Sequence, residues 1–155
     1  MNSLASTYAT DPFHARFGCA LPRTMRDEIS GQHMSWAAFV DRFSPTTGPL
    51  RLGSWSGTGA TGGKMSFDAT FGIGDTIFAC AATTYGPIEA LTSMLHDAGF
   101  RIEILSFHQQ RIGDETATFV LAEHDGRREW SMSIELDATL SSIRAIIAGA
   151  NLLHR

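Results

Sequence analysis

The sequence predicts an α+β domain made of two pseudo-symmetric βββα units, mostly antiparallel strands covered by two helices, preceded by a short helical segment. Three observations carry this expectation. Residues 50–83 and 101–135 each hold three strand-like runs. Each set of runs ends in a helical pattern, near 87–98 and near 138–153. A shift of 52 residues lays Phe78 on Trp130, Cys80 on Met132, Pro87 on Thr139, Ile88 on Leu140 and Leu91 on Ile143, keeping the apolar pattern with few identities.

Taken in chain order, residues 1–17 are expected to form a loose N-terminal segment, small and polar at its start. Residues 18–48 read as a helical, linker-like segment. "LPRTMRDEIS" (21–30) is a short helix with Pro22 near its start. "MSWAAFVDRF" (34–43) is a second, with Ser35 as N-cap and Trp36, Phe39, Val40 and Phe43 at helical spacing. "SPTTGP" (44–49) has the composition of a connector. The repeat domain follows, over 49–155.

Its first unit has strand runs near 50–56, 65–71 and 76–83, with "GIGD" (72–75) as a hairpin turn. The helix near 87–98 presents Ile88, Leu91, Leu95 and Ala98 as one stripe, and Gly99 stops it. The second unit has runs near 101–111, 115–123 and 128–135, with "HDGR" (124–127) as an Asp-Gly hairpin. Trp130, Met132 and Ile134 alternate with Ser131 and Ser133, the pattern of a strand with one buried face. The helix near 138–153 carries Leu140, Ile143, Ile147 and Ala150 as its stripe.

Composition narrows the functional classes. With 155 residues, 43% hydrophobic and 18% charged, the chain falls among soluble globular domains able to bury a core without staples. The net charge of −4, with Lys64 the single lysine and no basic cluster, argues against a nucleic-acid surface. No run approaches the roughly 18 apolar residues of a membrane span. "MNSLASTYATDPFHARFG" (1–18) lacks the apolar segment of a signal peptide, so a cytoplasmic protein is expected. Cys19 and Cys80 make no disulfide framework, and Cys80 lies in an apolar run as a small hydrophobe.

Several motifs fail on inspection. "GTGATGGKM" (57–65) suggests a phosphate loop, but Thr58 stands where the first glycine belongs and Met65 where Ser or Thr belongs. It reads as a hairpin loop. "GSWSG" (53–57) has Trp55 at the centre where a nucleophile elbow needs serine. The six histidines show no metal-ligand spacing, so neither a metal nor a cofactor is expected. His96 in the last turn of the first long helix reads as a partner of the helix dipole. "FHQQR" (107–111) is either a solvated strand end or a ligand surface, with Phe107, Gln109 and Arg111 on one face and His108 and Gln110 on the other. "TYGPIE" (84–89) is either a plain helix start or a weak anion site, because Pro87 is pre-organised for the first helical position and Gly86 allows close approach.

"TYGPIEALTSMLHDAGFRIEILSF" (84–107) and "WSMSIELDATLSSIRAIIAGANLL" (130–153) resemble the C-terminal regulatory, or dimerisation, domain of 2-isopropylmalate synthase and citramalate synthase. "GCALPRTMRDEIS" (18–30) and "SWAAFVDRF" (35–43) resemble the linker that precedes that domain. The resemblance implies the βββα repeat, a homodimer, and a leucine-like amino acid held between subunits. Carried over by position, the ligand-binding residues are Thr84, Tyr85, Gly86, Pro87, Ile88, Ile104, Phe107, Leu136 and Asp137. The family's catalytic part is a (β/α)8 barrel of about 250 residues, which does not fit in this chain, so no synthase activity is expected of it alone, and a separate catalytic-barrel chain is one candidate partner. The chain departs from the family pattern at Thr84, Tyr85, Ser106, Phe107, Ser131 and Ser133. A changed pocket opens an alternative, a small cyclase- or isomerase-type enzyme of secondary metabolism with Tyr85, His108, Glu135 and Asp137 as candidate catalytic residues.

Overall fold

The computed structural model describes residues 11–59 and 61–155. Three short helices come first, α1 (Pro12–Phe17), α2 (Arg23–Glu28) and α3 (Trp36–Phe43). Strands β1 (Leu50–Gly59), β2 (Met65–Ile73) and β3 (Thr76–Thr84) lead into α4 (Pro87–Asp97). Strands β4 (Glu103–Ile112), β5 (Glu115–His124) and β6 (Arg127–Glu135) lead into α5 (Ala138–His154). Each unit is a three-stranded antiparallel meander, in the orders β1-β2-β3 and β4-β5-β6. The expected α+β architecture of two βββα units behind a helical segment is therefore present. No helix among the described residues is long and apolar enough to cross a membrane.

Local chemistry accounts for the boundaries. The β5–β6 hairpin turns on Asp125 and Gly126, both at positive φ (50° and 77°), as a two-residue turn of matching twist requires. "GTGATGGKM" is a hairpin connection as expected: β1 runs through Gly59, a single 3-10 turn spans Thr61–Gly63, and β2 starts at Met65. Ser35 caps α3 by accepting from the Ala38 N–H at 3.1 Å.

Both long helices lie on the inner faces of the sheets and share one core. Leu50, Phe67 and Phe71 from the first sheet meet Leu91, Leu95, Ile143, Ile146 and Val120 there. The repeat differs from the expected register by one residue. The two N-caps, Gly86 and Asp137, fix the helix offset at 51 rather than 52. The β-bulges at Leu52/Ser54 and Ile104/Ser106 keep an offset of 52 for the first strand of each unit. One additional residue in the β1–β2 turn makes the difference. In a strand, a one-residue slip exchanges the faces. Cys80 therefore corresponds to Ser131, not to Met132, and both point inward.

This changes the reading of β6. Ser131 and Ser133 do not face solvent; they are buried against α5. The Ser131 hydroxyl donates to the Ala145 carbonyl at 2.7 Å. The Ser141 hydroxyl lies 2.7 Å from Thr118 Oγ1 and reaches the Thr116 and Ser133 carbonyls. Small side chains bring α5 close to the sheet; a Cβ on Gly149 would sit 2.9 Å from Ser131 Oγ. The stripe of α4 is wider than expected: Ala90 and Met94 join Leu91 and Leu95 as buried residues, with Ile88 and Ala98 partly buried against the same core.

Trp130 and Met132 face the other way, into a second core with Ile112, Ala117 and Phe119. The helical segment covers them with Phe13, Met25, Ile29, Phe39 and Phe43. The second sheet is thus buried on both faces. The outer face of the first sheet stays open, with Ser54, Ser56, Asp68, Ala79 and Thr83 exposed.

The expectation of a loose segment over 1–17 is corrected for residues 11–17; residues 1–10 lie outside the described residues. Pro12–Phe17 is helical, and Phe13 is fully buried with its ring 5.1 Å from that of Phe119. Buried Asp11 makes this possible. Its carboxylate accepts from His14 N–H at 2.9 Å, capping α1, and from Leu21 N–H at 3.2 Å, tying α1 to α2.

Candidate functional site

The turn Thr84–Pro87 joins β3 to α4. Thr84 Oγ1 donates to the Gly86 carbonyl at 2.7 Å, which shapes the turn locally. Gly86 is an extended N-cap (φ −160°, ψ 166°), and a Cβ there would meet nothing within 4 Å. Its backbone geometry does not demand glycine; the missing side chain leaves the space above the helix start open. Pro87 takes the first helical position, and Glu89 stands in the first turn. Tyr85 is 68% exposed, with Lys64 Nζ 5.4 Å from its ring centre.

The corrected register gives this turn a counterpart. Glu135, Leu136 and Asp137 occupy the places of Thr84, Tyr85 and Gly86. Leu136 is 71% exposed, nearly the same as Tyr85. Asp137 caps α5, its Oδ2 accepting from Leu140 N–H at 2.7 Å. Glu135 Oε1 pairs with Arg144 Nε at 3.2 Å. Each unit thus ends in a tight turn that holds one large apolar side chain in water, just before a helix N-terminus.

Ile88, Ile104 and Phe107 are half-buried against the inner core. His108 faces away from Phe107, because it pairs with Phe119 while Phe107 pairs with Val120. Its ring lies 6.1 Å from that of Trp130, on the side of the helical segment. The four residues considered for catalysis therefore point in different directions. His108 is on the outer face, Asp137 is a helix cap, and Glu135 is ion-paired.

Within "FHQQR" the two faces hold different roles. Gln109 Nε2 is within 3.0 Å of Thr118 Oγ1 and the Ala138 carbonyl and 2.7 Å from Ser142 Oγ, tying β4 to the first turn of α5. His96 lies in the last turn of α4, as expected, and Arg101 Nε donates to its Nε2 at 3.1 Å. Cys19 and Cys80 are free thiols. Burial pushes the Cys80 thiol up, and nearby Asp97 adds to the shift. No group of three or more His, Cys, Asp or Glu among the described residues could hold a metal ion.

A separate cavity of about 470 Å³ opens between α3, the 44–46 connector, β1, the end of β6 and α5. Trp36, Val40, Leu50, Ile147, Arg51 and Arg144 line it, with Glu135 at its edge among the turn residues named above. Sequence reading did not reach this site. Its lining comes from segments that only the fold brings together, at 36–46, 50–52, 132–135 and 144–151.

No family model matches the chain. Individual proteins do. It is 27% identical to 2-isopropylmalate synthase of Leifsonia xyli subsp. xyli over 157 residues, covering 84% of this chain and 27% of that protein. It is 27% identical over 138 residues to 2-isopropylmalate synthase of Arthrobacter sp., covering 83% and 24%. It is 28% identical over 134 residues to 2-isopropylmalate synthase of Mycobacterium ulcerans, again covering 83% and 24%. The chain spans about a quarter of the length of these relatives. In sequence, the chain matches a C-terminal regulatory part of 2-isopropylmalate synthase, not the whole enzyme.

Proposed function

We propose that the chain is a regulatory and dimerisation domain that pairs two-fold with a second copy and binds a small branched-chain amino acid, or a related metabolite, between the copies. The observation that carries this reading is the pair of equivalent turns. Tyr85 and Leu136 hold large apolar groups in water at 68% and 71% exposure, at matching points of the repeat. Exposed apolar side chains at matched positions suit an isologous interface, in which one patch meets its own copy. The open space over Gly86 and the N-terminus of α4, which has no side-chain cap, offer backbone N–H groups to a carboxylate. Ile88, Ile104 and Phe107 supply apolar contact for an aliphatic side chain.

Synthase chemistry is, on this reading, not a property of these 155 residues alone, which are too few for a catalytic barrel of about 250 residues. Calorimetry with leucine, isoleucine and valine tests the ligand. Binding of one of them that is lost in Tyr85→Ser supports the reading. Absence of heat with all three removes the sensing role.

A further inference from the structure

We propose that the cavity between the helical segment and the second unit is a binding site for a small carboxylate with an apolar body, distinct from the turns and independent of the ligand assigned to them. Its volume of about 470 Å³ lies within the range of small-molecule sites, which run from about 300 to 1,000 Å³. The site lies where two substructures meet. The α3 helix and the Ser44–Thr46 connector form one wall, and β1 with α5 forms the other.

The lining sets the ligand chemistry. Trp36, Val40, Leu50, Leu52 and Ile147 give an apolar surface suited to a hydrocarbon body. The ionised lining groups are Arg51, Arg144 and Glu135, an excess of positive charge that favours an anion. Arg51 is committed elsewhere, since its Nη2 donates to the Gly74 carbonyl at 2.6 Å. Arg144 is not fully committed. Glu135 engages its Nε at 3.2 Å, and its two Nη groups have no partner among the described residues. A planar carboxylate fits such a pair of N–H donors. A cation would meet net repulsion, and a bare phosphate would leave the apolar wall unused.

The test is titration calorimetry of the whole chain with cyclohexanecarboxylate and with its neutral isostere, cyclohexanecarboxamide, while tryptophan emission is followed. The acid is expected to bind and to perturb the emission, with the amide at least about tenfold weaker, as loss of a charge-assisted hydrogen bond implies. Arg144→Met should weaken the acid by a similar factor and leave the amide unchanged. Val40→Trp, which fills the cavity, should remove both. Tyr85→Ser should change neither, which separates this site from the turns. The proposal fails if the acid gives no heat up to about 10 mM. It also fails if Arg144→Met leaves acid binding intact, or if Tyr85→Ser abolishes it.

Discussion

The side-chain amide of Asn151 pairs with both backbone groups of Leu50: Oδ1 accepts from the Leu50 N–H at 2.8 Å, and Nδ2 donates to the Leu50 carbonyl at 2.8 Å. β1 is an edge strand, so on this side Leu50 lacks a strand neighbour. The carboxamide stands in for one. It joins the last helix to the first strand across 101 residues, in a buried setting. Gly48 makes room, since a Cβ there would lie 2.5 Å from Asn151 Cγ.

Replacing Asn151 with leucine should therefore cost about 2–4 kcal/mol, because two buried backbone groups lose their partners together. Asn151→Asp should be worse, as it sets a carboxylate against the Leu50 carbonyl. Urea unfolding followed by circular dichroism measures both.

The close approach of α5 to its sheet gives a second prediction. Gly149→Ala would gain up to about 1 kcal/mol of helix propensity on an open surface. Here the new Cβ meets Ser131 Oγ at 2.9 Å, so the variant should be destabilised by about 1–3 kcal/mol. In a Ser131→Ala background the nearest atom becomes the residue-131 Cβ, 3.6 Å away, and the penalty should shrink. A double-mutant cycle reads the coupling.

The helical segment contributes a pH dependence. Burial pushes the Glu28 carboxyl above the usual glutamate range; Arg42, 3.9 Å away, pulls it back, and Glu129 raises it further. The folded protein therefore holds this proton more tightly than the unfolded chain. Stability from this group is present at low pH and is lost as pH rises from the usual glutamate value through the raised one. Glu28→Gln should flatten the stability profile across that window. Arg42→Met should extend the window upward. Thermal melts between pH 4 and pH 7 are the measurement.

The two βββα units were legible because each strand and helix carries its own local signal. Asp125-Gly126 marks a hairpin, Ser35 a cap, and Pro87 a helix start. The register of the repeat was not legible, since one additional residue in the β1–β2 turn slips the second half of the alignment. Apolar pattern alone laid Cys80 on Met132, where the offset of 51 between the helix N-caps puts Ser131. The serines misled for a related reason. Hydroxyls normally mark an exposed face, but Ser131 and Ser133 sit beneath a helix whose Ser141, Ala145 and Gly149 approach them closely. The helix at Pro12–Phe17 was not legible, because six residues are too few to display an apolar period. The turn residues of the candidate site were found by resemblance. The cavity was not found, because only tertiary contact brings Trp36, Arg51 and Arg144 together.

The account rests most heavily on Tyr85 and Leu136 as an interface. Sedimentation velocity of the wild-type chain against Tyr85→Ser/Leu136→Ser tests this directly. Both side chains are mostly in water, so the double variant should keep its circular dichroism spectrum and melting temperature at low protein concentration. The account predicts a wild-type dimer and a folded, monomeric variant. A wild-type chain that sediments as a monomer, or a variant that dimerises as well as the wild type, would contradict it.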